Sequence, residues 1–363
     1  MNTKYWVAFS SIEQLDSTFI RKLYGYFGDI ERAYNVSEKE IEQIEGLSIN
    51  KAEEFLAARK RINPDKVFEE VEKRRVNVLT FDDNRYPYML SQISNPPAVL
   101  YYKGDIFSCN LERTVAFVGS RRASTNGKDS VRSVINDFRG TDICIVSGLA
   151  EGIDAVSHRS AIENGLKTIG VIASGFDFTY PASSRDLYEK LENGCGAVVT
   201  EYYPTFEPIK FRFPQRNRIV TGLSYGTVVG EAAIKSGALI SANLTLEQGR
   251  ELMCIPGAIN NKNTEGIYKL LKNGATMVTT GEDVLNALNW EIISNAPKKT
   301  EIPNSNQPKS HASILDIISI EPKGFDELQS LTGMETDELL TALTMMEVEG
   351  LIEQTDGDRY KRG

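Results

Sequence analysis

Between Thr114 and Thr279 the chain repeats one pattern: a short apolar run, then a stretch with helical spacing. The runs are TVAFVG (114–119), ICIVSG (143–148), TIGVIA (168–173), AVVTE (197–201), GTVVGE (226–231), LMCIPG (252–257) and ATMVT (275–279). Runs of this length that are apolar throughout belong to strands buried on both faces, and helices between them impose parallel crossovers. The fold class is therefore α/β: an extended Rossmann-like, doubly wound parallel sheet whose ligands belong at the carboxyl ends of its strands.

The loops at those ends carry the chemistry. The first run leads into Gly119-Ser120-Arg121, where backbone N–H groups, a hydroxyl and a guanidinium can meet one anion. A P-loop is excluded by spacing, since seven residues separate Gly119 from Gly127 and Asp129 stands where a metal-binding hydroxyl is needed. No GxGxxG is present. The second run ends in Ser147-Gly148, where a dinucleotide fold would want an acidic residue for the ribose. NAD and ATP are disfavoured, and no cofactor is expected. Asp154 and His158 lie four apart and share a helix face, an arrangement better suited to fixing the loop than to acid–base work, because no nucleophile accompanies it. Gly175 and the Tyr180-Pro181 turn fit either close ligand contact or plain turn chemistry.

The stretch KFRFPQRNRIV (210–220) packs Lys210, Arg212, Arg216 and Arg218 around Phe211 and Phe213. Pro214 suits the first turn of a helix, which sets Arg216 and Arg218 near an N-terminus, where cations oppose the helix dipole. The misplacement makes sense if helix N–H groups and guanidinium groups hold an external anion together. Read as an extended segment, Lys210 and Arg212 face one side and the two phenylalanines the other, so a phosphate and a stacked base could be met at once. The competing reading makes the phenylalanines core and pairs the arginines with Glu201 and Glu231.

The 363 residues suggest two or three domains. Helical spacing marks 1–63 as a helical module resembling sterile-alpha-motif or helix-hairpin-helix domains, with a capping box at Ser37 and Glu40. Its 9 basic and 10 acidic residues favour packing or partner contact over nucleic-acid binding. Residues 64–289 hold the core and an extended lead-in, 290–311 read as a Pro-, Asn- and Ser-rich linker, and 312–363 show a winged-helix pattern with a hairpin around TDGD. The net charge of −9 is concentrated there: residues 310–363 carry 4 basic and 12 acidic side chains, while 114–286 carry 18 of each. A basic cleft in the core is thus compatible with an acidic chain. The acidic third helix (Glu335, Asp337, Glu338, Glu347, Glu349) would be repelled by phosphates, which points to a protein contact. Leu339, Leu340, Leu343 and Met346 are spaced for core packing. Four scattered cysteines and two histidines make disulfides and metal sites improbable. The N-terminal apolar run is too short for a signal peptide and no segment approaches a membrane span, so a cytoplasmic location is expected.

The segments VGSRRAS, SGLAEGIDAVSHRSAIENGLKTIGVIASGFDFTYP, KFRFPQRNRIVTGLS, VVGEAAIKSGALISANLTLEQGRELMCIPGAIN and EGIYKLLKNGA occur in that order. Together they resemble the DNA-processing protein A family (DprA/Smf) across about 104–286. The resemblance implies a non-enzymatic protein that binds single-stranded DNA, helps load the RecA recombinase onto it in natural transformation and recombination, and dimerises through its Rossmann-like domain. It implies DNA-binding roles for Arg121, Lys210, Phe213, Arg216, Asn217 and Arg218, beside Gly119, Ser120 and Gly148 of the anion-binding loops. Gly230 in VVGEA and the ISAN segment depart modestly from the family pattern. The alternative is a phosphoribohydrolase-like enzyme acting on a small nucleotide, suggested by YGTVVGE and Glu231; it lacks the preceding PGG.

Overall fold

The computed structural model describes residues 2–290, 314, 315, 317, 323–348, 351–355 and 359–362. Contacts divide the chain into two compact units, 1–296 and 297–363. The expected linker lies outside the described residues except for Trp290.

Each of the seven apolar runs forms a strand: β3 (Thr114–Val118), β4 (Cys144–Ser147), β5 (Thr168–Val171), β6 (Gly196–Thr200), β7 (Gly226–Val229), β8 (Glu251–Cys254) and β9 (Thr276–Met277). All seven run parallel, and the lead-in adds β1 (Asn77–Thr80) and β2 (Val99–Gly104) antiparallel at one edge. The nine-stranded order is β1-β2-β6-β5-β4-β3-β7-β8-β9. From β3 the chain winds outward through β4, β5 and β6. It then returns to place β7 on the other side of β3. Helices α8 (Thr125–Asn136), α9 (Ile153–Glu163), α11 (Arg212–Gly222) and α12 (Gly237–Glu247) make the crossovers that shape the site. The sheet's two faces sit in separate apolar clusters, one around Val146, Val171, Val199 and Ile219, the other around Phe117, Ile135, Phe138 and Val228. That sandwiching explains why the strands are apolar throughout.

Residues 1–63 form α1 (Thr3–Ser10), α2 (Ser17–Phe27), α3 (Ile30–Tyr34), α4 (Glu38–Ile41) and α5 (Ile49–Arg59). The capping box of Ser37 and Glu40 is present. Residue 63 does not separate two cores. Asn63 caps α6 (Pro64–Lys73), with Pro64 at its first position, and α6 packs on α1. Trp6, Phe9, Leu23 and Phe55 share one buried cluster with Val71, Val99, Tyr101 and Tyr203. The Ser10 and Tyr101 hydroxyls hydrogen-bond at 2.5 Å across this junction.

In the second unit, helices Phe325–Thr332 and Thr336–Val348 accompany a three-stranded antiparallel sheet of Lys323–Gly324, Arg359–Arg362 and Ile352–Thr355, in that spatial order. Leu339, Leu343 and Met346 are buried as expected, but Leu340 is 52% exposed. A helix turns 100° per residue, so Leu340 leaves the face that Leu339 and Leu343 share, and Ala342 takes the inward place. Among the described residues no helix is long and apolar enough to cross a membrane.

Candidate nucleic-acid interface

A cleft of about 690 Å³ opens at the carboxyl ends of β3, β4 and β7. This is where the winding direction reverses, the position at which open α/β sheets leave a crevice.

One wall is the loop after β3. A Cβ on Gly119 would come within 2.5 Å of the Ile153 side chain, so only glycine lets this loop cross α9. The Ser120 N–H donates to the Glu231 carbonyl at 2.7 Å, and the Ser120 hydroxyl accepts from the Arg122 N–H at 3.1 Å. The Ser120 carbonyl accepts from the Ile153 N–H at 3.2 Å, beneath Gly152 at φ +81°. The backbone is fixed and the Arg121 side chain is left exposed. Its guanidinium lies 5.3 Å from the Phe213 ring centroid, and the Tyr180 ring meets Phe213 edge-on at 5.5 Å. Between Arg121, Tyr180 and Phe213 a recess of about 110 Å³ leads down to Ile172 and Ala173.

The opposite wall is the start of α11. Pro214 falls in its first turn as expected, but the helix begins at Arg212, and Phe211 is already α-helical in conformation (φ −73°, ψ −20°). Lys210–Phe213 is therefore not an extended segment, which corrects the alternation read from the sequence. Helical spacing puts Lys210, Phe213, Pro214 and Asn217 on the cleft. Phe211, Arg212, Gln215 and Arg218 face the other way, into a separate cavity of about 330 Å³ against the N-terminal helices.

Of the nine residues expected to bind DNA, eight line the cleft: Gly119, Ser120, Arg121, Gly148, Lys210, Phe213, Arg216 and Asn217. Arg218 does not. It sits one half-turn from Arg216, donates to Glu201 at 2.5 Å and turns away, as the competing reading had it. Arg216 needs a correction too. It forms the floor rather than a wall, is 4% exposed, and donates to the carbonyls of Gly148 (2.5 Å) and Val171. Asp154 faces it across Gly148: the Arg216 Nη1 and Asp154 Oδ2 atoms both lie 2.6 Å from where a Gly148 Cβ would stand. Burial pushes the Asp154 carboxyl up, with the Arg216 guanidinium opposing that rise, and burial pushes the Arg216 guanidinium down. Neither Arg121 nor Lys210 has an ion-pair partner among the described residues.

His158 is not an acid–base partner of Asp154. Its Nδ1 lies 2.7 Å from the Thr168 hydroxyl, which itself donates to the Ile145 carbonyl, so Nδ1 carries the proton. Burial, followed by the nearby Arg216 and Arg159 charges, pushes its pKa down to about 3 and keeps it neutral. Glu231, on which the nucleotide-hydrolase alternative turns, is 1% exposed. Its carboxylate accepts from the Ser124 N–H (2.8 Å), the Ser124 hydroxyl (2.7 Å) and the Asn261 amide (2.8 Å). It braces the loop after β3 and is closed to a substrate.

Sequence reasoning did not single out Arg122 beside Arg121, nor the remaining side of the cleft, formed by Asn263 and by Ser236, Gly237, Ile240 and Ser241 at the start of α12. The signal was available, because Ser236-Gly237 follows β7 at the same sheet edge. The Tyr180-Pro181 turn was read as fitting either close ligand contact or turn chemistry, but the Tyr180 ring itself was not singled out, since nothing local says that it meets Phe213, 33 residues on.

Residues 77–289 match the family DNA recombination-mediator protein A, and residues 297–358 match the DprA winged helix domain. The chain is 31% identical to Protein Smf of Escherichia coli over 317 residues, covering 86% of this chain and 84% of that protein. It is 43% identical to the DNA processing protein DprA of Streptococcus pneumoniae over 203 residues, 56% of this chain and 71% of that one. The X-ray structure of the Streptococcus pneumoniae protein superposes with a TM-score of 0.70 at 36% identity, over 78% of this chain and 97% of that chain. A structure addressing the single-stranded DNA binding mode of DNA processing protein A from Helicobacter pylori gives a TM-score of 0.54 at 27% identity, over 60% of this chain and 98% of that chain.

Proposed function

The chain belongs to the DNA recombination-mediator protein A family (DprA/Smf), and from that membership we propose that it binds single-stranded DNA in the cleft at the reversal of its sheet and delivers the strand to a RecA-type recombinase. The observation that carries the reading is the convergence on one open cleft of Arg121 and Lys210, two cations with no ion-pair partner among the described residues, beside the Phe213 ring. Phosphates are drawn to the cations, and every base has a π-face to offer the rings of Phe213 and Tyr180, so binding tolerates any sequence. Arg121, Lys210, Phe213 and Asn217 make the direct contacts. Ser120 borders the path of the strand, the bare Gly119 and Gly148 make room for Ile153 and for Arg216 and Asp154 beneath it, and Arg216 holds the floor.

The protein acts in the cytoplasm as a homodimer joined through the Rossmann-like domain and catalyses no bond change. Family membership supports these parts of the proposal, and the engagement of Glu231 and His158 inside the fold supports the last of them. The acidic winged-helix unit contacts protein rather than duplex.

The test is titration of labelled single- and double-stranded oligonucleotides at two salt concentrations, with wild type beside Lys210→Ala. The expected result is preference for the single strand, weakened for all sequences alike in the variant, with a salt slope lower by about 0.7 for the lost contact. Salt-independent binding, or a variant indistinguishable from wild type, refutes the proposal.

A further inference from the structure

The residue between the two phenylalanines, Arg212, carries a consequence of its own. It stands on the face of α11 opposite the cleft and is 2% exposed. Its guanidinium lies 4.9 Å from the ring centroids of both Tyr202 and Phe206. It donates to the Glu207 carbonyl at 2.5 Å and to Glu13 Oε1 at 2.5 Å. Glu13 belongs to the N-terminal helical module, in the connection between α1 and α2, 199 residues away in sequence. The Tyr202 hydroxyl reaches Gln215 at 3.2 Å and so holds the same turn from the same side.

We propose that Arg212 and Glu13 are positioning residues through which the N-terminal helical module sets the Lys210–Phe213 turn for DNA, without itself touching the strand. The inference rests on the single-strand-binding reading above. The turn has two faces: Lys210 and Phe213 project into the cleft, and Arg212 is held from behind. A rotation of the helix start that released Arg212 would swing Lys210 and Phe213 away from Arg121 and Tyr180. The aromatic rings fix the plane of the guanidinium, and a planar fork with several donors then selects one rotation of the turn. Glu13 supplies the only carboxylate ion-paired with Arg212 among the described residues. The module has no basic excess, which suits a brace better than a second DNA surface.

Removing an acidic charge from a protein that binds a polyanion should, on long-range electrostatics alone, tighten binding. A brace predicts the opposite sign. The experiment compares full-length wild type, Glu13→Gln, Arg212→Lys and Lys210→Ala in binding a labelled oligothymidylate at two salt concentrations. Hydrogen exchange is followed at residues 210–215 and, as a reference, at β8. Glu13 is half-exposed, so Glu13→Gln leaves folding intact even where Arg212→Lys does not. The expected result is binding weakened roughly two- to tenfold in Glu13→Gln, the range for one hydrogen-bonded contact. The salt slope should stay at the wild-type value, and exchange should quicken at 210–215 but not in β8. Unchanged or tighter binding, unaltered exchange, or a slope reduced as in Lys210→Ala overturns the inference. If wild type binds and Lys210→Ala weakens it while Glu13→Gln does not, only the brace is lost. If wild type does not bind the oligothymidylate at all, the single-strand reading and the brace both fall.

Discussion

Arg216→Met tests whether the floor of the cleft is a structural keystone or a DNA contact. The Arg216 Nη1 and Asp154 Oδ2 atoms each lie 2.6 Å from the point where a Gly148 Cβ would stand, which puts them no more than about 5 Å apart. At an effective dielectric near 20 their attraction is roughly 3 kcal/mol. The arginine also satisfies the Gly148 and Val171 carbonyls, each contact adding about 1.5 kcal/mol or more. Methionine fills a similar volume but leaves a buried carboxylate uncompensated, and breaking a buried pair this way costs about 3–5 kcal/mol. For a unit of this size that lowers Tm by roughly 6–10 °C. Calorimetry and urea unfolding measure the loss. Asp154→Asn in the same background should restore part of it, because the unpaired charge is gone, with a coupling of about 1–3 kcal/mol in the double-mutant cycle. A variant that melts with wild type but binds oligonucleotide with a reduced salt slope would refute this reasoning and return Arg216 to the DNA contacts.

Phe213→Ala should weaken single-strand binding by about 1–3 kcal/mol with the salt slope unchanged, because a stacking surface is lost and no phosphate contact; titration at two salt concentrations separates it from Arg121→Ala, whose slope should fall. Gly152→Ala meets both a left-handed φ of +81° and the Ser120 carbonyl, so it should destabilise by more than about 1 kcal/mol and disturb the loop carrying Arg121, seen as a lower urea midpoint together with weaker binding. His158 makes stability pH-dependent. Its folded pKa of about 3 lies below the unfolded value near 6.5, so the unfolded chain takes up the proton first. The stability contributed by the neutral ring is fully present above pH 6.5 and is lost towards pH 3 at about 1.4 kcal/mol per pH unit. Urea midpoints of wild type and His158→Asn between pH 7 and 5 should therefore diverge, with wild type falling faster.

The sheet was legible because burial on both faces leaves a plain mark, and TVAFV, CIVS and GAVVT each became a strand. The edge pair β1 and β2 was less so. Their residues serve two cores at once, and Tyr101 and Val99 pack against helices of the N-terminal module rather than within the sheet's own layers. In the site, the cleft brings together Arg121, Lys210 and Phe213, which the sequence had singled out because loops at carboxyl strand ends are privileged positions. Their mutual phase was not legible, because a proline in a first turn does not say how many residues precede it in the helix. The error on Arg218 was avoidable: residues two apart on a helix point about 200° apart, so Arg216 and Arg218 could not share a face. Tyr180 was beyond local reasoning, since its partner is set by the packing of two loops.

The cleft owes its existence to the path of the chain. After β6 the polypeptide returns across the sheet to lay β7 on the far side of β3, and the loops on either side of that seam leave in opposite directions, with a cleft between them. Substitutions along its rim change what the groove holds and how tightly, while the groove itself endures as long as the strands keep their order.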